Sequence, residues 1–123
     1  MKVLALDYGS ARTGIAVSDP SGTLARPLGV ARAVRSPAGF AGLLETIRVE
    51  QPACVVVGLP LTLRGERGVQ ARETLRFVET LRGAVTVPVE TYDERFTSSL
   101  ADGDDAKAAA YILTSYLEWR AAR

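Results

Sequence analysis

The apolar positions of this chain change period several times, and the changes divide it into elements. Residues 2–7, 13–19 and 24–31 read as three strands, parted by small polar turns around Gly9-Ser10 and Pro20-Ser21-Gly22. Connections that short make the strands an antiparallel meander. From Ser36-Pro37 the period becomes helical: Phe40, Leu43, Leu44 and Ile47 fall at i, i+3, i+4 and i+7, with Ser36 placed to cap the helix and Pro37 at its first position. The β-branched run 53–58 predicts a strand covered on both faces. A second helix is expected over 66–82, burying Val69, Leu75, Val78 and Leu81 and stopped by Gly83. Residues 85–92 predict a fifth strand, whose Pro88 demands an edge or a strand start. The last helix is expected over about 105–120, with Ala106, Ala109, Leu113, Tyr116 and Leu117 inward.

A meander followed by two helix-then-strand units and a final helix implies an α/β protein, a five-stranded mixed sheet of three antiparallel and then two parallel strands with helices on its faces. The length suits one domain over residues 1–123, with no linker or repeat. Ligands of such sheets sit beyond the carboxyl ends of the parallel strands. Asp7 and the Asp93-Glu94 pair fall there.

Composition narrows the chemistry. The 123 residues hold no histidine and one cysteine, which excludes a Ser-His-Asp or Cys-His arrangement, a histidine base and any ordinary zinc cage. Hard cations with oxygen ligands, magnesium or manganese, are left. Cys54, inside the apolar run 53–57, reads as a small buried hydrophobe. A lone cysteine, and no charged leader with a cleavage site, fit a cytoplasmic setting. The longest apolar stretch, 55–63, is broken by Gly58 and Pro60 and falls short of the roughly 20 residues that cross a bilayer. A net charge of +1 announces no nucleic-acid partner. Lys2 and Lys107 are the only lysines; the remaining basic residues are arginines, which suit phosphate contacts but equally reflect a compositional bias of the genome.

Against that background the acids stand out. Asp7 closes an apolar strand, where desolvating a carboxylate costs several kcal/mol unless a cation sits beside it. Asp93 and Glu94 project to opposite sides of a continuing strand, so only one of them can join Asp7; both could instead be solvated loop acids. In the last helix Asp105 stacks above Ala109, Ile112 and Leu113, the inward side, while Asp104 lies above Ala108, Tyr111 and Ser115. Helix capping by Asp102, Asp104 or Asp105 is the competing explanation. Three carboxylates brought close would repel and raise one another's pKa unless divalent metal held them ionised, and a metal pair about 3.5–4 Å apart is the usual arrangement for hydrolysing a phosphodiester. The backbone N–H groups of Gly9 and Ser10, with the fork of Arg12, offer a resting place for phosphate, although a glycine in a tight turn is also explained by backbone conformation alone.

Four segments in order, LDYGSARTGIAVSDP (6–20), VVVGLPLTLRG (55–65), DERFT (93–97) and DAKAAAYIL (105–113), resemble the YqgF/RuvX family of Holliday junction resolvases and pre-16S rRNA nucleases. The resemblance implies an RNase H-like fold, cleavage of branched DNA or precursor rRNA with two magnesium or manganese ions, and a homodimer for a true resolvase. It implies Asp7, Glu94 and Asp105 as catalytic metal ligands, and Arg12, Arg95 and Thr97 either as phosphate contacts, beside the Gly9 and Ser10 turn already read as a substrate contact, or as supports behind the metal ligands. Two departures mark this chain. A short acidic segment, residues 98–104, replaces a longer lysine-rich one, and Thr62 and Arg64 stand where Asn and Asp are common; Arg64, Arg67, Arg72 and Arg76 could compensate as a basic strip or simply form a solvated helix face. Two other readings stay open: a binding protein of the same fold that cleaves poorly or not at all, and an ATP-binding module, since DYGSARTG is also similar to the first phosphate loop of the actin and sugar-kinase fold.

Overall fold

The computed structural model describes residues 1–61, 68–94 and 104–123. Its elements are β1 (Val3–Asp7), β2 (Arg12–Ser18), β3 (Ala25–Arg32), α1 (Pro37–Glu50), β4 (Cys54–Pro60), α2 (Val69–Arg82), β5 (Val89–Glu94) and α3 (Asp105–Ala121). They form one five-stranded sheet in the order β3-β2-β1-β4-β5. The β1–β2 and β2–β3 pairs are antiparallel, the β1–β4 and β4–β5 pairs parallel.

Strand alternation sorts the core into two layers. Leu4, Leu6 and Tyr8 of the first strand region point with Val55 and Val57 to one face, against Leu43 and Ile47 of α1 and Phe77, Val78 and Leu81 of α2. Val3, Ala5, Cys54 and Val56 point to the other, against Ala109, Leu113, Tyr116 and Leu117 of α3. The central strands are therefore sealed on both sides, and each fully buried Val or Leu among them contributes about 1.5–3 kcal/mol. Cys54 is one of these core residues.

The first helix is capped as its sequence requires: Ser36 accepts the N–H of Gly39 at 3.0 Å, with Pro37 at the first position. Three expectations need correction. Helix α2 starts at Val69 after Gly68, not at 66, and Val69 is 66% exposed. Its inward stripe runs instead through Ala71, Thr74, Phe77, Val78 and Leu81, and Val69, two positions before Ala71, lies on the opposite side of the helix. The fifth strand starts at Val89 rather than at 85, because Pro88 has no N–H for the ladder; its carbonyl accepts the N–H of Val55 at 2.9 Å, and Val85 and Val87 pack beneath the core as loop residues. In α3, Ala108 and Ile112 join the buried stripe, while Ala106 is half-buried. Strand β5 is an edge, as its proline demanded.

Candidate active site

The alternation that builds the core also aims the acids. On β1 the residues facing α3 are Val3 and Ala5, so Asp7 continues that row; on β5, Tyr92 packs against the α3 layer, and Glu94 follows it two positions on. Asp93 points the other way and is exposed. Because β4 runs on to Pro60, whose register partner is Glu94, the fifth strand is carried far enough to bring that carboxylate to the rim.

Asp105 arrives by a different route. Asp7 pairs across the antiparallel ladder with Gly14. A Cβ on Gly14 would lie 1.8 Å from the backbone oxygen of Asp105, so the first turn of α3 rests directly on β2 backbone and only glycine permits it. Asp104, one residue earlier, is the N-cap and accepts the N–H of Lys107 at 3.0 Å. Capping is thus the work of Asp104. Asp105 pairs with Arg12, Nε to Oδ2 3.1 Å.

Asp7, Glu94 and Asp105 consequently line one cleft of ≈ 390 Å³, together with Arg12, Gly58 and Gln70. The Oε2 atom of Glu94 is buried. Burial foremost, then the negative charges of Asp105 and Glu94, push the Asp7 carboxyl up to about 6. The Arg12 guanidinium offsets only part of the negative charge, at its partly exposed outer edge.

The turn after β1 differs from an open anion cradle. The Gly9 N–H is directed at the Thr13 hydroxyl, 3.4 Å away, and that hydroxyl donates back to the Gly9 carbonyl at 3.2 Å. Glycine is required there by crowding, since a Cβ would lie 2.3 Å from the Arg12 carbonyl oxygen, and not by a positive φ. Ser10 and Arg12 are exposed at the rim. Arg95 and Thr97 lie outside the described residues, as do Thr62, Arg64 and Arg67. Gln70 on α2 was not among the expected site residues, and an exposed glutamine on a helix carries no signal that would have found it.

The donor chemistry of the cleft suits a hard divalent cation: three carboxylates and no nitrogen or sulfur ligand. Among the described residues no three acidic, histidine or cysteine side chains are already gathered into a ready-made metal set. Asp105 is held in its ion pair with Arg12.

A five-stranded mixed sheet with helices on both faces and acids at the carboxyl end of its first strand is an RNase H-like fold of the resolvase kind. It superposes on RuvC of T. thermophilus in complex with Holliday junction substrate with a TM-score of 0.63, at 22% identity, over 99% of this chain and 96% of that one. The fowlpox virus resolvase in complex with Holliday junction DNA gives a TM-score of 0.60 at 10% identity, over 98% and 99%. The family model RuvX, Holliday junction resolvase, matches residues 1–119, and the chain belongs to that family. Relatives named "Putative pre-16S rRNA nuclease" include those of Chloroflexus aurantiacus, 39% identical over 96% of this chain and 87% of the relative, and Anaeromyxobacter sp., 38% identical over 98% of each. No helix among the described residues is long and apolar enough to cross a membrane.

Proposed function

We propose that the protein is a metal-dependent endonuclease that hydrolyses phosphodiester bonds in structured nucleic acid, either branched DNA in recombination and repair or the precursor of 16S rRNA in ribosome biogenesis. One observation carries the reading: carboxylates from three remote stretches share one cleft, at a rim where burial and the neighbouring negative charges disfavour the charge of Asp7. A cation in the cleft would favour the ionised form of such a group, and family membership supports the reaction class.

Asp7, Glu94 and Asp105 would hold two magnesium or manganese ions. When bound, the ions supply Lewis acidity and charge neutralisation to the phosphoryl group. The chain's own contribution is positional. The rigid sheet fixes Asp7 and Glu94, and the backbone contact at Gly14 fixes the start of α3. Burial keeps the field of these groups strong by excluding water. Arg12, mostly exposed, holds Asp105 and is free to swing toward a phosphate oxygen. Arg95 and Thr97, beside Glu94 in sequence, belong to the same contact set on family pattern. A homodimer suits a junction substrate, which offers two equivalent strands. A cytoplasmic setting, where both substrates occur, goes with this reading.

The test is cleavage of a four-way DNA junction and of a precursor 16S rRNA with magnesium, manganese or chelator, by the native protein and by Asp7→Asn. Divalent-dependent cutting of one substrate, lost in the variant, is expected. Equal cutting by both proteins would overturn the assignment.

A further inference from the structure

A second cavity opens on the other side of the same sheet edge. It measures ≈ 360 Å³ and lies between the start of α1 and the outer half of α2, within the range of about 300–1,000 Å³ of small-ligand sites. Its floor is aromatic: Tyr8 and Phe77 are stacked with ring centroids 4.6 Å apart and planes at 24°, and each is almost fully buried. Phe40, half-buried, forms a wall. Arg35 and Arg76 stand exposed at the mouth, and the half-buried Glu73 lines the same cavity.

Three features give this cavity a specific occupant. Phe40, the half-buried ring backed by the Tyr8–Phe77 stack, suits a planar, stackable ligand, and arginines at the mouth suit phosphate. Glu73 opposes a bare anion, so phosphate alone is a poor fit and a base carrying a phosphate is a better one. Finally, the cavity adjoins the acidic cleft. Tyr8 follows Asp7 directly and lines both. The wall is also fastened to the active-site turn, because the Ala33 N–H donates to the Ala11 carbonyl at 2.9 Å, with Ala33 held at φ 49°. A left-handed alanine is disfavoured by its Cβ, and here it sets the corner from which Arg35 and α1 depart.

We propose that this cavity receives an unstacked nucleotide of the same strand whose scissile phosphate lies at Asp7, its base on the Phe40–Phe77 side and its phosphate at Arg35 and Arg76. The site would hold the strand open beside the cut and so favour branched or unpaired substrate over continuous duplex. The inference rests on the nuclease reading, and its test separates the two.

In the first arm, adenosine 5′-monophosphate and inorganic phosphate are titrated into the native protein and followed by amide NMR. Millimolar or tighter binding of the nucleotide, with shifts confined to residues around Phe40, Glu73 and Phe77 and at least about tenfold weaker binding of phosphate, is expected from one base stack. No shifts there, or equal binding of phosphate, would overturn the proposal. This arm needs no turnover, so it reads the cavity even if the nuclease assignment fails. In the second arm, Arg76→Glu and Thr80→Trp, both at exposed positions on the cavity rim, are assayed with the cleaved substrate after their melting curves show intact folding. KM raised about tenfold or more with kcat nearly constant marks lost binding outside the reacting centre. Cleavage by the native protein with KM unaltered in both variants would sink the inference and leave the nuclease reading standing.

Discussion

Asp7 and Asp19 both end apolar strands, at opposite edges of the same antiparallel pair, and their surroundings drive them in opposite directions. Asp19 accepts the N–H groups of Thr23 and Leu24 at 2.8 and 2.9 Å and the Ser21 hydroxyl, and these hydrogen bonds hold its carboxyl down to about 2. Asp7 is desolvated, faces two further acids, and is pushed up to about 6. One carboxylate is ionised because the turn around it needs an acceptor. The other is ionised at physiological pH against its environment, and a cation beside it would favour its charged form. The contrast separates an acid that builds a loop from the acid proposed to do chemistry.

The largest effect is expected on cleavage. Asp7→Asn should lower divalent-dependent cutting by about a thousandfold or more, the equivalent of several kcal/mol of lost transition-state stabilisation, whereas Asp19→Asn should leave the rate nearly as it was and only lower the melting temperature. Comparable loss in the two variants, measured on the same substrate, would erase the distinction.

Next comes pH. Between pH 4 and 6 and without divalent ion, the folded chain binds more protons at Asp7 than the unfolded chain does, so stability must fall as pH rises through that window. A move from 3.8 to about 6 corresponds to at most about 3 kcal/mol. Urea titrations at both ends of the window should show this decline in the native protein and its absence in Asp7→Asn, and magnesium or manganese should reverse it if the folded cleft binds them as proposed. Asp19 works with the opposite sign: its contribution is complete above pH 4 and is lost as pH falls through 2. A native protein that gains stability steadily from pH 4 to 6, no differently from Asp7→Asn, would contradict the burial argument.

Gly14→Ala tests how the third acid is delivered. The added methyl meets the Asp105 carbonyl, and displacement of α3 should cost about 1–3 kcal/mol along with most of the cleavage, while Gly29→Ala, with open space at its Cβ, should do far less. Equal denaturant midpoints for the two would mean that α3 does not depend on this contact. The smallest effect belongs to Arg12→Ala, since an ion pair this exposed contributes under about 1 kcal/mol. A midpoint shift well beyond that would give Arg12 a structural role that the geometry does not.

Legibility in the sequence followed the range of the interactions concerned. Ser36-Pro37 marked the start of α1 because a cap is a contact over three residues. The β-branched run of β4 announced a strand sealed on both faces, and it is buried throughout except at Pro60. The start of β5 was misread because valines 85 and 87 satisfy the strand period while Pro88 denies the ladder its donor. Val69 was misplaced because one apolar residue in a first turn does not define the phase of a helix. Gly9 offered N–H groups on paper, yet the one it carries is directed at Thr13, a contact that depends on how the turn closes.

What the sequence by itself determined is how neighbouring acids part on their own elements: a period of two sends Asp93 and Glu94 to opposite sides of their strand, so that only one of them can join Asp7, and a period of 3.6 separates Asp105 from Asp104. Those are properties of local backbone geometry and need no partner. Only the tertiary structure decided that the three meet, because their meeting depends on β4 extending to Pro60, on the register that sets Gly14 opposite Asp7, and on a helix start pressed against bare backbone. Packing between distant segments settles such approaches to within an ångström, and no repeat along the chain encodes that distance.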